Sequence, residues 1–338
     1  MQLYRQAFQT RATFQIFFIC LSDCRLPHTD AFLRRVAGIV DKKTTTGHIT
    51  ALVTIMIWGT TFISTKILLA DFTPIEILFF RFLLGLLVLI IIYPKRLKIK
   101  DKKQELTFAA AGLCGICLYY LLENIALTYT MASNVGIIIS VAPFFTAVLS
   151  HVFLKTEEKL KVQFFVGFVV AMIGICLISF NGKELELNPI GDILAVAAAL
   201  VWAVYSLLTR KISSYGLNTI GTTRKIFTYG ILFMLPFLFV FDFNLDVQKV
   251  IKPEYALNLI YLGLGASALC FVTWNYAVGV LGTVKTSVYI YIVPVITATS
   301  SVIVLKEKIT WIAAIGIGLT LIGLFLSESK LKLRKRGK

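Results

Sequence analysis

Long apolar stretches recur along the chain and constrain its fold more than any other feature of the sequence. About 20 apolar residues span the hydrocarbon core of a bilayer as a helix, and from Ile49 onward ten stretches are suited to this. They are residues 49–69, 74–93, 106–128, 134–154, 162–180, 190–209, 221–241, 257–279, 286–305 and 310–326. Lipid offers no partner to exposed backbone groups, and the alternation typical of barrel strands is absent. The sequence therefore predicts an all-α membrane protein with ten transmembrane helices.

The composition excludes several classes of soluble protein. Hydrophobic residues make up 57% of the 338 residues and charged residues 15%, whereas soluble domains have about 45–50% and about 25%. The net charge of +16 would suit nucleic-acid binding, but the basic residues fall in short runs between apolar stretches and form no continuous face. A soluble enzyme, a secreted disulfide scaffold and a nucleic-acid-binding domain are thus excluded, and membrane lipid is the expected surrounding.

The basic residues also predict the orientation of the chain in the membrane. With the amino terminus inside, 27 Lys and Arg residues lie on the cytoplasmic side and 6 on the opposite side. Cytoplasmic loops carry an excess of Lys and Arg. We therefore expect both termini to be cytoplasmic.

Polar landmarks repeat in order along the chain. The segment from Trp58 matches the segment from Trp202 at an offset of 144, and Asn124 precedes Pro143 by 19 residues, as Asn275 precedes Pro294. Residues 49–180 and 190–326 are therefore predicted to be two five-helix repeats. Because five is odd, the repeats have opposite orientations, which is typical of secondary transporters that alternate access around a central site.

The two flanks do not follow this repeat. Residues 1–48 are expected to form a disordered extension, and residues 1–39 of it are interpreted as upstream sequence translated from a misassigned start codon. Residues 327–338 form a basic tail, which we expect on the cytoplasmic side.

Several short motifs, in this order and spacing, connect the chain with a known family. They are Trp58-Gly59-Thr60-Thr61-Phe62, Pro74, Phe80-Arg81-Phe82-Leu83, Ala126-Leu127, Ala142-Pro143, Leu154-Lys155-Thr156-Glu157, Trp202-Ala203, Tyr276-Ala277, Pro294, Leu305-Lys306-Glu307, Gly316 and Gly323. Over residues 49–327 the chain resembles the EamA-type branch of the drug/metabolite transporter superfamily. The resemblance implies a protein of the plasma (inner) membrane with a cavity between its repeats. It also implies export or exchange of small metabolites, commonly amino acids, amines or carboxylates.

Glu123 is the most informative single residue, because it is the acid that we place within the hydrocarbon, about five residues from the outer end of the third predicted span. A charge at the centre of a membrane helix costs roughly 2.5–3.5 kcal/mol on insertion scales, so such a group is normally paired, protonated or facing water. Burial favours the neutral carboxyl, which suits a group that must bind and release protons. Glu123 is thus a candidate proton-coupling or cation-binding group. The alternative is a structural ion pair with Arg81, and the sequence leaves both open.

Aromatic and hydroxyl side chains form the rest of the candidate cavity. In the first span Thr54, Trp58, Thr61 and Thr65 share one helical face, and in the sixth span Trp202, Tyr205, Ser206 and Thr209 do the same, so both faces should point into the bundle. Either a cavity wall or simple helix packing would explain them. The full candidate set is Trp58, Thr61, Arg81, Glu123, Asn124, Trp202, Tyr205, Ser206, Trp274, Asn275 and Tyr289.

Two prolines are expected to bend their helices. Pro143 and Pro294 lie within predicted spans four and nine and are predicted as matched kinks, although proline is also tolerated in membrane helices. Cys114 and Cys117 have redox spacing but lie in an apolar stretch, so packing is the better interpretation.

These observations favour a secondary active transporter that exports small metabolites by alternating access and is not an enzyme. The expected partners are a small-molecule substrate and, as coupling ion, protons; no cofactor, metal or nucleic acid is expected, and the sequence leaves monomer and homodimer open. The alternative function is efflux of drugs or cationic compounds. A membrane-embedded enzyme of lipid metabolism is less favoured, since it would need clustered acids or histidines at a membrane surface.

Overall fold

The regular elements of the described part of the chain are all helices. The computed structural model describes residues 29–129, 132–154, 162–179, 188–241, 243–244, 246–305 and 310–328. The helices of the first half are α1 (Thr29–Leu68), α2 (Pro74–Ile92), α3 (Lys102–Gly112), α4 (Tyr119–Tyr129), α5 (Ala132–Ile139), α6 (Ala142–Phe153) and α7 (Val162–Ser179). Those of the second half are α8 (Pro189–Ser213), α9 (Thr219–Val240), α10 (Val247–Val250), α11 (Pro253–Ile260), α12 (Cys270–Leu281), α13 (Thr283–Val288), α14 (Ile292–Leu305) and α15 (Trp311–Glu328).

Six of the ten predicted spans coincide with helices long and apolar enough to cross a membrane. These are Lys42–Leu68, Pro74–Ile92, Lys102–Tyr129, Pro189–Ser213, Thr219–Val240 and Pro253–Leu281. The other four predicted spans fall on shorter apolar helices, Ala142–Phe153, Val162–Ile178, Thr283–Thr297 and Ala314–Ser327. The all-helical membrane architecture is confirmed, and the number of ten spans stays a prediction.

The first helix begins earlier than expected. Residues 29–48, which the sequence analysis assigns to a disordered extension, are helical as the beginning of α1. The predictions for residues 1–28 and for residues 329–338 of the tail lie outside the described residues. By internal contacts the chain divides between Thr46 and Gly47, and the following description concerns the unit from Gly47 onward.

Side-chain caps explain where several of the helices begin. The Thr73 side chain accepts a hydrogen bond from the Glu76 backbone N–H, and the Glu76 carboxylate accepts one from the Thr73 N–H, which is a capping box at the start of α2. The side chains of Asn188 and Asn218 accept hydrogen bonds from backbone N–H groups in the first turns of α8 and α9. A cap satisfies backbone donors that have no partner within the helix, so it fixes the first residue of each helix.

Two π-helical segments lie at corresponding positions of the two halves. Leu113–Leu118 connects α3 to α4, and Tyr261–Leu269 connects α11 to α12. Each leads directly into a helix that carries candidate site residues, Glu123 on α4 and Trp274 on α12. π-Helical turns are rare and concentrate at functional sites, so this pair marks the region where the two halves meet.

Two helix interruptions also correspond between the halves. Ser140 and Val141 separate α5 from α6, and the 3-10 turn Tyr289–Tyr291 separates α13 from α14. Pro143 is the second residue of α6, and Pro294 is the third residue of α14. Each break thus lies within the turn that precedes its proline, whose missing N–H removes a hydrogen bond to the carbonyl four residues earlier, and the kinks assigned to Pro143 and Pro294 stay a prediction.

Two glycines let α7 and α15 approach each other closely. A Cβ atom on Gly174 would lie 2.6 Å from the Gly316 carbonyl oxygen, and one on Gly316 would lie 2.6 Å from the Gly174 carbonyl oxygen. Small residues at helix crossings allow such backbone contact in membranes, where lipid supplies no hydrophobic driving force between helices. The pair joins the last helix of each half.

Candidate functional site

Three tryptophans from three helices meet in the middle of the bundle. The ring centroids of Trp58 on α1 and Trp202 on α8 are 5.3 Å apart, and the Trp274 ring of α12 lies 5.1 Å from Trp58 and 6.0 Å from Trp202. Phe271 packs edge-on against Trp58 at 5.8 Å. We call Trp58, Trp202 and Trp274 the tryptophan cluster. Edge-on and tilted rings are the favoured geometries of aromatic pairs, so the cluster fixes the relative positions of the three helices.

The hydrogen-bonding groups of the tryptophan cluster differ. The Trp58 indole Nε1 donates to the Ala266 carbonyl at 2.9 Å, and Ala266 belongs to the π-helical segment before α12. The indole nitrogens of Trp202 and Trp274 are buried without a hydrogen-bond partner among the described residues. A buried donor without a partner is unusual in a folded protein, which makes both groups notable for the function of this region.

A small cavity lies beside the tryptophan cluster. Its lining residues are Trp58, Thr61, Phe62, Tyr119, Tyr120, Glu123, Gly136, Ile139, Ser140, Trp202, Ile290 and Val293. Its volume is about 40 Å³, which gives room for a few water molecules and is far too small for a metabolite. The first half of the chain supplies most of the wall, and the second half supplies Trp202, Ile290 and Val293.

Glu123 is the acidic residue of the cavity wall. Its side chain is 7% exposed, and the Tyr119 hydroxyl one turn earlier on α4 lies within hydrogen-bonding reach of its carboxyl group. The second carboxyl oxygen, Oε2, is buried without a partner among the described residues. An acceptor in this situation loses its hydration without compensation, so this oxygen is the strongest polar feature of the cavity.

Arg81 does not form the ion pair with Glu123 that the sequence analysis considers. Its Nε atom donates to Ser267 Oγ at 3.1 Å, and its guanidinium carbon lies 4.5 Å from the centroid of the Tyr120 ring. Among the described residues the ion pairs are Lys225–Glu105 and Lys249–Glu76. Arg81 is 2% exposed, its Nη2 atom is buried without a hydrogen-bond partner among the described residues, and it is absent from the cavity wall.

The two repeat-related asparagines bind other helices. Asn124 Nδ2 donates to the Pro74 carbonyl at 3.2 Å, which ties α4 to the start of α2. Asn275 accepts from the Tyr205 hydroxyl at 2.8 Å and donates to Thr223 Oγ1 at 3.0 Å. Both asparagines therefore hold neighbouring helices in place.

Of the eleven candidate residues, four line the cavity: Trp58, Thr61, Glu123 and Trp202. The other seven lie outside its wall: Arg81, Asn124, Tyr205, Ser206, Trp274, Asn275 and Tyr289. Ser206 donates to the Trp202 carbonyl at 3.0 Å, and the Tyr289 hydroxyl is 2.7 Å from His48 Nδ1. The roles assigned to these residues stay predictions.

Sequence reasoning missed Tyr119 and Tyr120, which line the cavity next to Glu123. A signal for them existed, because they precede Glu123 by four and three residues and so share its side of the helix. Gly136, Ile139, Ser140, Ile290 and Val293 carry no comparable signal, since nothing distinguishes them from other apolar-span residues. Among the described residues, no group of His, Cys, Asp and Glu side chains could hold a metal ion.

Comparison with known proteins identifies similar chains along the whole length of the helical bundle. The model of the EamA-like transporter family matches residues 45–180 and again residues 189–328. An uncharacterized transporter of Archaeoglobus fulgidus is 30% identical over 288 residues, which cover 84% of this chain and 97% of that protein. The uncharacterized transporter YetK of Bacillus subtilis is 24% identical over 310 residues, covering 89% and 92%.

One chain of known crystal structure has a similar fold. It superposes with a TM-score of 0.67 at 19% sequence identity, over 83% of this chain and 97% of that one. At this identity the similarity shows the arrangement of helices alone.

Proposed function

The chain belongs to the EamA-like transporter family and is a multi-pass membrane transporter, and from this premise we propose that it is a secondary active exporter that works by alternating access. Its substrates would be small metabolites such as amino acids, amines or carboxylates.

The position of the cavity carries this proposal. Trp58 and Glu123 come from residues 49–180, and Trp202 and Val293 come from residues 190–326. Secondary transporters built from repeats bind substrate between the repeats, whose relative motion then opens the site to either side. A cavity walled by both halves fits that arrangement.

The small size of the cavity indicates which contacts would have to open. Two side-chain pairs join the halves at one end of the bundle: Ser150 and Thr283, whose hydroxyl oxygens are 2.8 Å apart, and His48 and Tyr289, 2.7 Å apart. With a cavity of about 40 Å³, a metabolite can enter from this end only if these pairs separate.

The membrane topology belongs to the same proposal. We assign ten spans, in two repeats over residues 49–180 and 190–326, with both termini in the cytoplasm of a plasma-membrane protein. The distribution of 27 basic residues on one side against 6 on the other supports this orientation. In this orientation the cytoplasmic end of the bundle contains Ser150, Thr283, His48 and Tyr289.

Glu123 is the candidate for coupling transport to protons. Its titratable and charged neighbours are Tyr119 on the same helix and Arg81 from α2; Tyr119 and Tyr120 line the cavity with Glu123, and Arg81 does not. A carboxyl group that binds either a proton or a substrate, but not both, would couple proton entry to substrate exit.

Efflux of drugs or cationic compounds is the second candidate function. The aromatic lining by Trp58, Tyr119, Tyr120 and Trp202 favours it, because aromatic faces bind both apolar and cationic ligands. It would use the same cavity and the same motion, and it differs from metabolite export in the ligand.

Mass spectrometry of the growth medium tests the proposal. Cells producing the full-length protein are compared with cells carrying the empty vector, Glu123→Gln, or Glu254→Gln as a matched control at an exposed position on α11. We expect at least one metabolite to accumulate outside with the intact protein and the control, and to fall to the vector level with Glu123→Gln. Identical media from intact protein and empty vector would refute metabolite export.

A further inference from the structure

The cavity wall contains one carboxyl group and no basic side chain. Its twelve lining residues include one acid, Glu123, and no Lys, Arg or His. The Glu123 side chain is 7% exposed, and its Oε2 atom has no hydrogen-bond partner among the described residues. A hydrogen bond between ionised groups is roughly twice as strong as one between neutral groups, and a buried charge without a partner is costly, so a cationic donor is a favourable partner for this carboxyl group.

Arg81, the nearby cation, is not placed to meet a substrate. Its Nε atom donates to Ser267 Oγ at 3.1 Å, its guanidinium carbon lies 4.5 Å from the centroid of the Tyr120 ring, and Arg81 is not among the residues that line the cavity. A substrate carboxylate would therefore meet the Glu123 carboxylate and no positive side chain. Like charges brought together in a site of low dielectric repel strongly, so the wall discriminates against acids.

Aromatic rings surround the position of Glu123. Trp58, Trp202, Tyr119 and Tyr120 all line the cavity, and the ring centroids of Tyr119 and Trp202 are 4.7 Å apart. The faces of such rings attract cations through their quadrupoles, and their surface also accepts an apolar body. A carboxylate inside an aromatic wall is complementary to an ammonium group on an apolar molecule.

We propose that the substrates of this cavity are organic cations: amines that are protonated at neutral pH and carry an apolar or aromatic body, with the ammonium group bound by Glu123 Oε2. This inference rests on the proposed function, since it takes the cavity to be the substrate site, and it selects amines over amino acids and carboxylates. The body of the amine packs against Trp58 and Trp202 when the cavity widens.

Three ligands with the same ring separate these classes. Phenethylamine carries only the amine, phenylalanine carries amine and carboxylate, and hydrocinnamate carries only the carboxylate on the same two-carbon chain. Binding is followed by tryptophan fluorescence of the purified full-length protein carrying Trp311→Phe. Trp311 is 87% exposed, so its removal leaves the tryptophan cluster as the source of the signal.

We expect saturable quenching by phenethylamine and none by the other two ligands at the same concentration. Loss of a charged hydrogen bond weakens binding by about tenfold or more, so Glu123→Gln should lower phenethylamine affinity by at least that factor. Glu123→Asp, which keeps the carboxylate, should retain part of the affinity, and Glu254→Gln should behave as the parent. Thermal unfolding of each variant establishes that it is folded.

Tighter binding of phenylalanine or hydrocinnamate than of phenethylamine would overturn the proposal, as would unchanged phenethylamine affinity in Glu123→Gln or no binding of any of the three. None of these results would refute transport itself. Failure of the proposed function has a different signature, namely growth media that do not change when the intact protein is produced.

Discussion

Arg81 is a buried cation in an apolar bundle, and its neighbours determine what it contributes. One hydrogen bond to Ser267 and the faces of Tyr120 and Phe82 surround the guanidinium, with centroid distances of 4.5 Å and 5.2 Å. These contacts connect α2 to the π-helical segment that leads into α12 and to the start of α4. Arg81 thus joins both halves of the chain through these contacts.

Replacement of Arg81 by alanine should destabilise the protein. The change removes a charged hydrogen bond, worth about 1.5–3 kcal/mol, and cation–π contacts that add up to about 2 kcal/mol when desolvated. We expect a lower thermal unfolding temperature for Arg81→Ala in detergent, whereas Arg96→Ala, at an exposed loop position, should unfold like the parent. An Arg81→Ala protein of normal stability that no longer binds substrate would instead assign Arg81 to the substrate.

The candidate residues show what a single sequence could and could not predict at this scale. Glu123, Trp58 and Trp202 could be found because a carboxyl group or a deep tryptophan in an apolar span is conspicuous. The partner of Arg81 could not be predicted, because the position of a residue along a helix gives its depth in the membrane but not the direction of its side chain. An ion pair between Arg81 and Glu123 was one alternative, and the contacts of Arg81 with Ser267 and the Tyr120 ring are visible only in three dimensions.

At the scale of helices, the irregular segments are the parts that are least predictable from the sequence, and they lie at corresponding positions in the two halves. The π-helical segments Leu113–Leu118 and Tyr261–Leu269 leave no mark in an apolar sequence. The interruptions near Pro143 and Pro294 could be located approximately, because a proline marks each region. Each break lies just before its proline. Matched irregularities beside the cavity are well placed to act as hinges between the two halves.

The close contact between α7 and α15 predicts that alanine substitutions at two neighbouring glycines change the free energy of unfolding in opposite directions. A Cβ atom on Gly316 would lie 2.6 Å from the Gly174 carbonyl oxygen, but one on Gly318 would meet nothing within 4 Å. Overpacking typically costs about 1–3 kcal/mol, so Gly316→Ala should lower the free energy of unfolding by that amount. Gly318→Ala should raise it by up to about 1 kcal/mol, because alanine is the better helix former.

Thermal or denaturant unfolding of the two purified variants measures this difference. Equal effects of Gly316→Ala and Gly318→Ala would contradict the close crossing of α7 and α15.

At the scale of the whole molecule, the all-helical membrane architecture was predictable from hydropathy alone. The first helix was the exception, because residues 29–48 are polar and were assigned to an extension, yet they continue the helix. Hydropathy measures whether a segment suits lipid and carries little information about a polar helix that extends beyond it. The repeat was predictable because polar residues at fixed spacing stand out against an apolar background, and the family model matches two successive segments of the chain.

Alternating access requires the two halves of the chain to separate and close around one cavity. Ser150 on α6 and Thr283 on α13 allow a direct test, because their hydroxyl oxygens lie 2.8 Å apart across the halves and a disulfide would fix them together. The measurement is export of the compound identified in the medium by Ser150→Cys/Thr283→Cys, in a background without other cysteines, before and after oxidation. We predict that oxidation stops export, that reduction restores it, and that neither single variant responds. Full export by the fully cross-linked protein would show that the halves need not separate at Ser150 and Thr283, and would contradict alternating access by this opening.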